Sequence, residues 1–151
     1  MEKYFDIMQK TRMKFVHLLD GLTIEQLNTI PEGFNNNLIW NFGHLLATQQ
    51  AIFYGLAGLT PNVDEQFIKR YRRFTKPESI VSAEEFEANK QNFEQAQQTF
   101  FEDYRKGAFT NFKQYTTSFG VQLDTLEDAI QFSSVHDGLH YGYAMALKHL
   151  V

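Results

Sequence analysis

The last long segment of the chain reads Thr125-Leu-Glu-Asp-Ala-Ile-Gln-Phe-Ser-Ser-Val-His136-Asp-Gly-Leu-His140-Tyr-Gly-Tyr-Ala-Met-Ala-Leu147. Wound at about 100° per residue, Ala129, Phe132, His136, Leu139, His140, Tyr143 and Leu147 fall on one face. A period of that kind specifies a helix, continuing to about Leu150, not a strand. Thr125 or Asp124 can cap its start, and Glu127 and Asp128 place negative charge in its first turn, where the helix dipole favours it. His136 and His140 stand at i and i+4, so their imidazoles lie one above the other inside the apolar sector. That spacing lets two ring nitrogens reach one ion.

Working back along the chain, three more helices appear. Tyr4, Phe5, Met8, Phe15, Leu18, Leu19 and Leu22 share one face of the first, which Gly21 can end. Thr23-Ile-Glu-Gln26 is a capping box for a short turn of helix before Pro31. After Gly33, the run Asn35-Asn-Asn37 forms a loop, with Asn37 as N-cap of a helix over about Leu38–Ala57 that stops at Gly58 and Pro61. Ser82-Ala-Glu-Glu85 opens another, with Phe86, Phe93, Phe100 and Tyr104 in a single stripe and Gly107 at its end. Between these, residues 60–81 lack a clean period. They hold the basic cluster Lys69, Arg70, Arg72, Arg73 and Lys76, which reads as a solvated connection rather than an anion site. Residues 108–122 read as an extended crossover, with a short strand an option at Tyr115–Phe119. Four long helices with a long central connection predict an all-α four-helix bundle, formed as one domain by residues 1–151.

Composition narrows the function. With 151 residues the chain can bury a sizeable core, so it needs no disulfide or metal merely to fold. There is no Cys, which removes thiolate nucleophiles, disulfides and Cys-ligated zinc or iron–sulfur clusters together. Lys plus Arg is 14 against 18 Asp plus Glu, and a net charge of −4 argues against a nucleic-acid binder. The N-terminal Met-Glu-Lys-Tyr-Phe lacks the apolar run of a signal peptide, and the apolar stretch Leu38–Leu59 is interrupted by Asn41, His44, Thr48, Gln49 and Gln50. No membrane association and a cytoplasmic location are the expectations.

Of five His, His17 sits on the polar face of the first helix and His149 lies off the apolar sector of the last. His44 instead shares a face with Trp40, Ala47, Ala51, Gly55 and Gly58, small residues that leave room for an ion or a ligand. Three inward imidazoles would each bury nitrogens that need partners. One divalent ion satisfies all three, and this reading is preferred over a hydrogen-bonded core cluster. Three neutral imidazoles favour Zn²⁺ or Ni²⁺, with Fe²⁺ or Co²⁺ also compatible. Three protein ligands leave a coordination position for water or substrate. Because ligation needs neutral imidazole, affinity is expected to fall as pH drops through roughly 6.5.

Competing motifs fit less well. His136-Asp-Gly-Leu-His140 resembles the His-Glu-x-x-His of zinc peptidases, but only eleven residues follow it, without an acid, and His149 is on the wrong face. Paired Glu-x-x-His motifs, a Gly-rich phosphate loop and Gly-x-Ser-x-Gly are all absent.

At these residues the chain resembles the DinB-like superfamily, which includes thiol-dependent S-transferases of the bacillithiol type. The resemblance runs over nearly the whole chain. It rests on Leu22-Thr-Ile-Glu-Gln-Leu27, Asn37-Leu-Ile-Trp-Asn-Phe-Gly-His44, Phe119-Gly120, Thr125-Leu-Glu-Asp-Ala-Ile-Gln-Phe132 and His136-Asp-Gly-Leu-His140-Tyr-Gly142. It implies a four-helix bundle in which His44, His136 and His140 bind one divalent metal. It further implies S-transfer with a low-molecular-weight thiol, thiol-dependent isomerisation or hydrolysis of a small molecule, and raises a homodimer. Asp137 departs from the Glu that relatives often carry after the first His of the late pair.

Around the ion, Trp40 is a candidate pocket wall, Tyr143 a candidate hydrogen-bond donor, and Arg12, inside the apolar sector of the first helix, a candidate anchor for a substrate carboxylate. No acidic residue is expected to point inward on the second or last long helix. The alternative to an enzyme is a non-catalytic metal-binding or interaction module in which the ion holds helices together.

Overall fold

Three of the four long helices start at a side-chain cap. The computed structural model describes residues 1–151. Its elements are α1 (Glu2–Leu19), α2 (Ile24–Asn28), α3 (Leu38–Gln49) continued by a π-helical turn (Gln50–Gly55), α4 (Glu65–Tyr71), α5 (Ala83–Arg105), β1 (Tyr115–Thr116), β2 (Gln122–Leu123) and α6 (Leu126–Lys148). Asn37 Oδ1 accepts from the Trp40 amide at 2.8 Å. Ser82 Oγ accepts from the Glu85 amide at 3.1 Å. Thr125, not Asp124, caps α6, and its capping box with Asp128 closes at 3.1 and 3.0 Å. Each such cap stabilises by about 1 kcal/mol and fixes the register in which the helix enters the bundle. The Thr23–Gln26 box also forms. The Ser82 box forms only in half, because the Glu85 carboxylate turns to Arg70 at 2.5 Å.

The fold is all-α apart from the ribbon. The helix α1 packs on α5 and α6, and α3 packs on α5 and α6, with α4 laid against α3. On α1 the buried residues Phe5, Met8, Arg12, Phe15 and Leu19 recur at three- and four-residue steps, the stripe of a helix with one face in the core. The apolar core divides along the bundle axis. One cluster includes Phe15 and Leu19 of α1, Leu38–Ala47 of α3, Phe86 and Phe93 of α5, and Ala144 and Leu147 of α6. The other holds Phe5, Met8, Phe53, Tyr54, Phe100, Leu123, Leu126, Ala129 and Ile130. At the boundary each long helix contributes a buried polar residue: Arg12, Gln49, Gln97 and Asp137.

Several sequence expectations change here. The segment over residues 60–81 is not merely a connection: it contains α4, capped by Asp64, whose oxygen accepts from Gln66 N at 2.6 Å. Seven residues are too few to establish a period in the sequence. The helix expected over 38–57 switches to π register at Gln50, closing with Leu59 N to Tyr54 O at 2.9 Å, a five-residue step. The strand option at 115–119 is realised as β1, paired antiparallel with β2 in the register Tyr115↔Leu123. On α6 the buried face is centred on Ser133, Asp137 and Ala144, so Leu139 is left 53% exposed. No helix is long and apolar enough to cross a membrane.

Gly43 sets the α3–α4 approach. A Cβ built there would lie 2.6–2.9 Å from three carbons of the Tyr71 ring, closer than packed atoms sit. Gly43→Ala is therefore expected to destabilise by about 1–3 kcal/mol through overpacking. Gly142→Ala, in α6 with open space around the new methyl, should be neutral or stabilising by up to about 1 kcal/mol. Thermal melts of the two variants check this, and equal melting temperatures would refute the close packing of α4 on α3.

Candidate metal centre

The two imidazoles of α6 and the one of α3 meet on the flank of the polar layer. Ring centroids are 4.6 Å apart for His136–His140, 4.7 Å for His44–His140 and 5.2 Å for His44–His136. One ring nitrogen from each lies within 4.8 Å of the others. The structure thus brings together the three candidate ligands. His17 remains exposed beside Asp20, at 3.3 Å, and His149 is exposed as well.

Two of the rings are turned by an oxygen hydrogen-bonded on the Nδ1 side, and the third has a carboxylate nearby. His44 Nδ1 lies 2.7 Å from the Tyr71 carbonyl, which accepts its proton. His140 Nδ1 lies 2.8 Å from Asn41 Oδ1, and the Asn41 amide is itself fixed by donating to Asn37 O at 2.8 Å. His136 Nδ1 sits 3.7 Å from Asp137 Oδ1. A proton held at Nδ1 leaves the Nε2 lone pair free, which is the tautomer a metal needs, and oxygen partners of this kind commonly orient ligating His. The Thr48 hydroxyl lies 3.3 Å from His44 Nε2. The donor set therefore fits a divalent ion: His44, His136 and His140 would hold it, and no Cys or carboxylate joins the cluster.

Electrostatics keep two of these rings in the ligating form. Burial pushes His44 down to about 4, although the Tyr71 carbonyl works the other way. Burial, reinforced by the neighbouring imidazoles, pushes His140 down to about 3. Burial thus moves proton competition at these two rings below the usual imidazole range.

Asp137 was expected to point outward and is 1% exposed. Its carboxylate accepts from Arg12 Nε at 2.7 Å and from Nη2 at 3.4 Å. Burial alone would raise this carboxyl, but the Arg12 charge and contacts with His136 and Arg12 outweigh it and hold the group below its usual range. Hydropathy assigns a charged residue to the surface, and only the partner on α1 makes its burial tolerable.

The other candidate residues separate. Trp40 stacks on His44 with centroids 4.6 Å apart and an interplanar angle of 11°, and its Nε1 donates to Thr75 Oγ1 at 2.9 Å. Arg12 is not available as a substrate anchor: it is 2% exposed and its fork is committed to Asp137 and Gln49. Tyr143 is not drawn to the imidazoles and packs edge-on against Phe34, with centroids at 5.7 Å. His44 and His136 instead open onto a cleft of about 230 Å³, lined also by Thr48, Ile52, Arg72, Arg73, Tyr115, Thr117 and Phe132. A larger cleft of about 490 Å³ beside the α5–β1 connection shares none of these residues and holds no imidazole. Sequence reasoning missed the Tyr71 carbonyl and Asn41, and read Arg72 and Arg73 as solvated charge rather than as cleft wall. Asn41, interrupting an apolar run one turn before His44, left a trace in the sequence; the Tyr71 carbonyl left none.

Two expectations follow. His136→Ala or His140→Ala should remove most bound zinc in equilibrium dialysis, while His17→Ala and His149→Ala should not; full occupancy in a His44→Ala/His136→Ala double variant would refute the ligand set. The second concerns the metal-free protein. An imidazole whose pKa is depressed on folding is protonated first in the unfolded chain, so stability is complete above about 6.5 and declines as pH falls. Between pH 6.5 and 5, above the carboxylate range, each of His44 and His140 should cost up to about 1.4 kcal/mol per pH unit. Denaturant titrations should show that slope flattened in a His44→Gln/His140→Gln variant.

Comparison with known families is consistent with this geometry. No curated protein matches the chain. The family model described as the DinB superfamily matches residues 7–144, which take in α3 and α5 whole, most of α1 and α6, and all three clustered imidazoles. The chain belongs to the DinB superfamily.

Proposed function

We propose that this protein is a divalent-metal-dependent enzyme acting on a small molecule, of the thiol S-transferase or hydrolase type. The observation that carries the reading is the arrangement of the imidazoles. Three rings from two helices converge, Nδ1 of His44 and of His140 is occupied by an oxygen, and His44 and His136 face a cleft rather than sealed core. An ion that served only to join α3 and α6 would not need that access. Zn²⁺ or Ni²⁺ suits the donor set best. When bound, such an ion supplies Lewis acidity that lowers the pKa of a ligated thiol or water.

The chain's own residues do the remaining work. The Tyr71 carbonyl and Asn41 amide oxygen hold the Nδ1 protons of His44 and His140. Trp40 covers one face of His44 and excludes water there. The Thr48 hydroxyl, beside His44 Nε2 and on the cleft wall, is placed to hydrogen-bond a reactant. Ile52 and Phe132 offer the apolar surface against which the body of a small substrate packs. The chain has no Cys, so a sulfur nucleophile must come from a co-substrate thiol.

Cobalt substitution tests the reading. Adding a low-molecular-weight thiol to the Co²⁺ form should produce a sulfur-to-metal charge-transfer band that His44→Ala weakens, and the metal-loaded protein should consume thiol faster than buffer with a suitable electrophile. A spectrum indifferent to thiols and small anions would indicate a closed shell and leave the non-catalytic metal module as the function.

A further inference from the structure

The cleft beside the imidazoles carries a charge that the metal centre does not account for. Its lining includes two arginines, Arg72 and Arg73, the hydroxyl groups of Thr48, Thr117, Ser118 and Tyr115, and no Asp or Glu. Two other cations of the basic segment are neutralised: Lys69 pairs with Glu65 at 2.8 Å and Arg70 with Glu85 at 2.5 Å, while Lys76 lies outside the cleft lining. Arg72 and Arg73 have no carboxylate partner, in a chain whose net charge is −4. Two free guanidinium groups next to a site for a dication repel that charge unless something anionic joins them.

The turn that presents them is a built feature. Thr75 Oγ1 lies 2.7 and 2.8 Å from the carbonyls of Arg70 and Arg72 and accepts from Trp40 Nε1 at 2.9 Å. Since Trp40 stacks on His44, the turn is tied to the metal ligands through one side chain. Phe74 holds φ 69, the one residue other than glycine in the left-handed region, while its ring is 89% exposed. A bulky residue is strained in that conformation, and here it gains no burial in return. The exposed ring lies under the Arg73 guanidinium at 4.3 Å, so what the strained turn secures is the placement of the arginine.

We infer that Arg72 and Arg73 form an anion subsite, and that the small molecule acted on beside the imidazoles carries a carboxylate or phosphoryl group. The inference rests on the proposed metal-dependent reading and narrows its substrate class. The anion lies against Arg72 and Arg73, with Thr117 and Ser118 as further donors. The apolar body lies on Ile52 and Phe132, and the reacting group faces His44 and His136. The planar guanidinium fork suits a two-oxygen anion better than an ammonium does.

Calorimetry on the full chain, loaded with Zn²⁺ and separately stripped of metal, tests this with phenylphosphonate and the neutral control benzyl alcohol. Phenylphosphonate should bind both forms and benzyl alcohol neither comparably. Arg72→Gln/Arg73→Gln should weaken phenylphosphonate about ten-fold in the stripped protein, with an intermediate loss for Arg72→Lys/Arg73→Lys, leave helical circular dichroism unchanged, and not weaken zinc binding. Wild-type affinity in the Gln variant, or phenylphosphonate binding that requires zinc and ignores both arginines, overturns the subsite while the metal reading stands. Failure of zinc to bind removes the metal reading, and the stripped-protein titration still decides the anion site. Comparing 3-mercaptopropionate with 2-mercaptoethanol assigns the charge. A preference for the acid that is lost in the Gln variant places it on the thiol. Equal thiol binding with phenylphosphonate still discriminated places it on the electrophile.

Discussion

The ion pair between Arg12 and Asp137 is the contact around which the bundle is organised. It joins the first helix to the last across 125 residues of sequence, with both side chains almost fully buried. Taking two charges out of water costs several kcal/mol each, and an attraction in low dielectric offsets this only when the remaining donors are also used. Here Arg12 adds a hydrogen bond to Gln49 and a cation–π contact with Phe93 at 5.3 Å, so one guanidinium touches all three other long helices. Losing one member of such a pair typically costs about 3–5 kcal/mol, whereas exposed pairs such as Lys10–Asp6 are screened by water and contribute little. Purely apolar faces would let the helices slide along one another. A charged layer fits at one height only, and it separates the two apolar clusters that pack above and below it.

The imidazole cluster depends on that height. Asp137 is anchored by Arg12, and His136 and His140 are its neighbours on the same helix, so the pair fixes the depth and rotation at which both rings face α3. His44 is then positioned by an independent device. Gly43 admits the Tyr71 ring, α4 settles on α3, and the Tyr71 carbonyl arrives at His44 Nδ1. At His44 burial outweighs the Tyr71 carbonyl, which favours protonation, and a ring that is costly to protonate keeps a lone pair available for an ion. The cost is stability in acid, which the metal would restore by mass action.

Access to the cluster is bounded by what surrounds it. Trp40 closes one side, the ribbon residues Tyr115 and Thr117 and the π-helical turn shape the other, and the opening that remains combines apolar wall from Ile52 and Phe132 with the cations Arg72 and Arg73. The π turn contributes by displacing the helix register just beyond His44, which leaves Ala51 and Ile52 on the cleft wall while Phe53 and Tyr54 stay in the core. Insertions of this kind are frequent at functional sites because they re-aim side chains without ending the helix.

The sequence by itself determined the long helices and singled out the three candidate imidazoles. Caps at Asn37, Ser82 and Thr125, stripes at helical spacing on the long helices, and an i, i+4 His pair are local patterns, and local patterns survive in a one-dimensional reading. Family resemblance then strengthened the grouping of His44 with the late pair, and the match over residues 7–144 bears out membership. Tertiary structure decided what depends on partners distant in the chain. Asp137 looked outward-facing because its compensation is Arg12, and Arg12 looked available because its commitment is Asp137. Arg72 and Arg73 looked like solvated charge because nothing in residues 60–81 tells that α4 folds back onto Gly43 and delivers them beside His44. Burial of a charge is an energy difference set by a partner, and the sequence carries the charge but not the distance to whatever neutralises it.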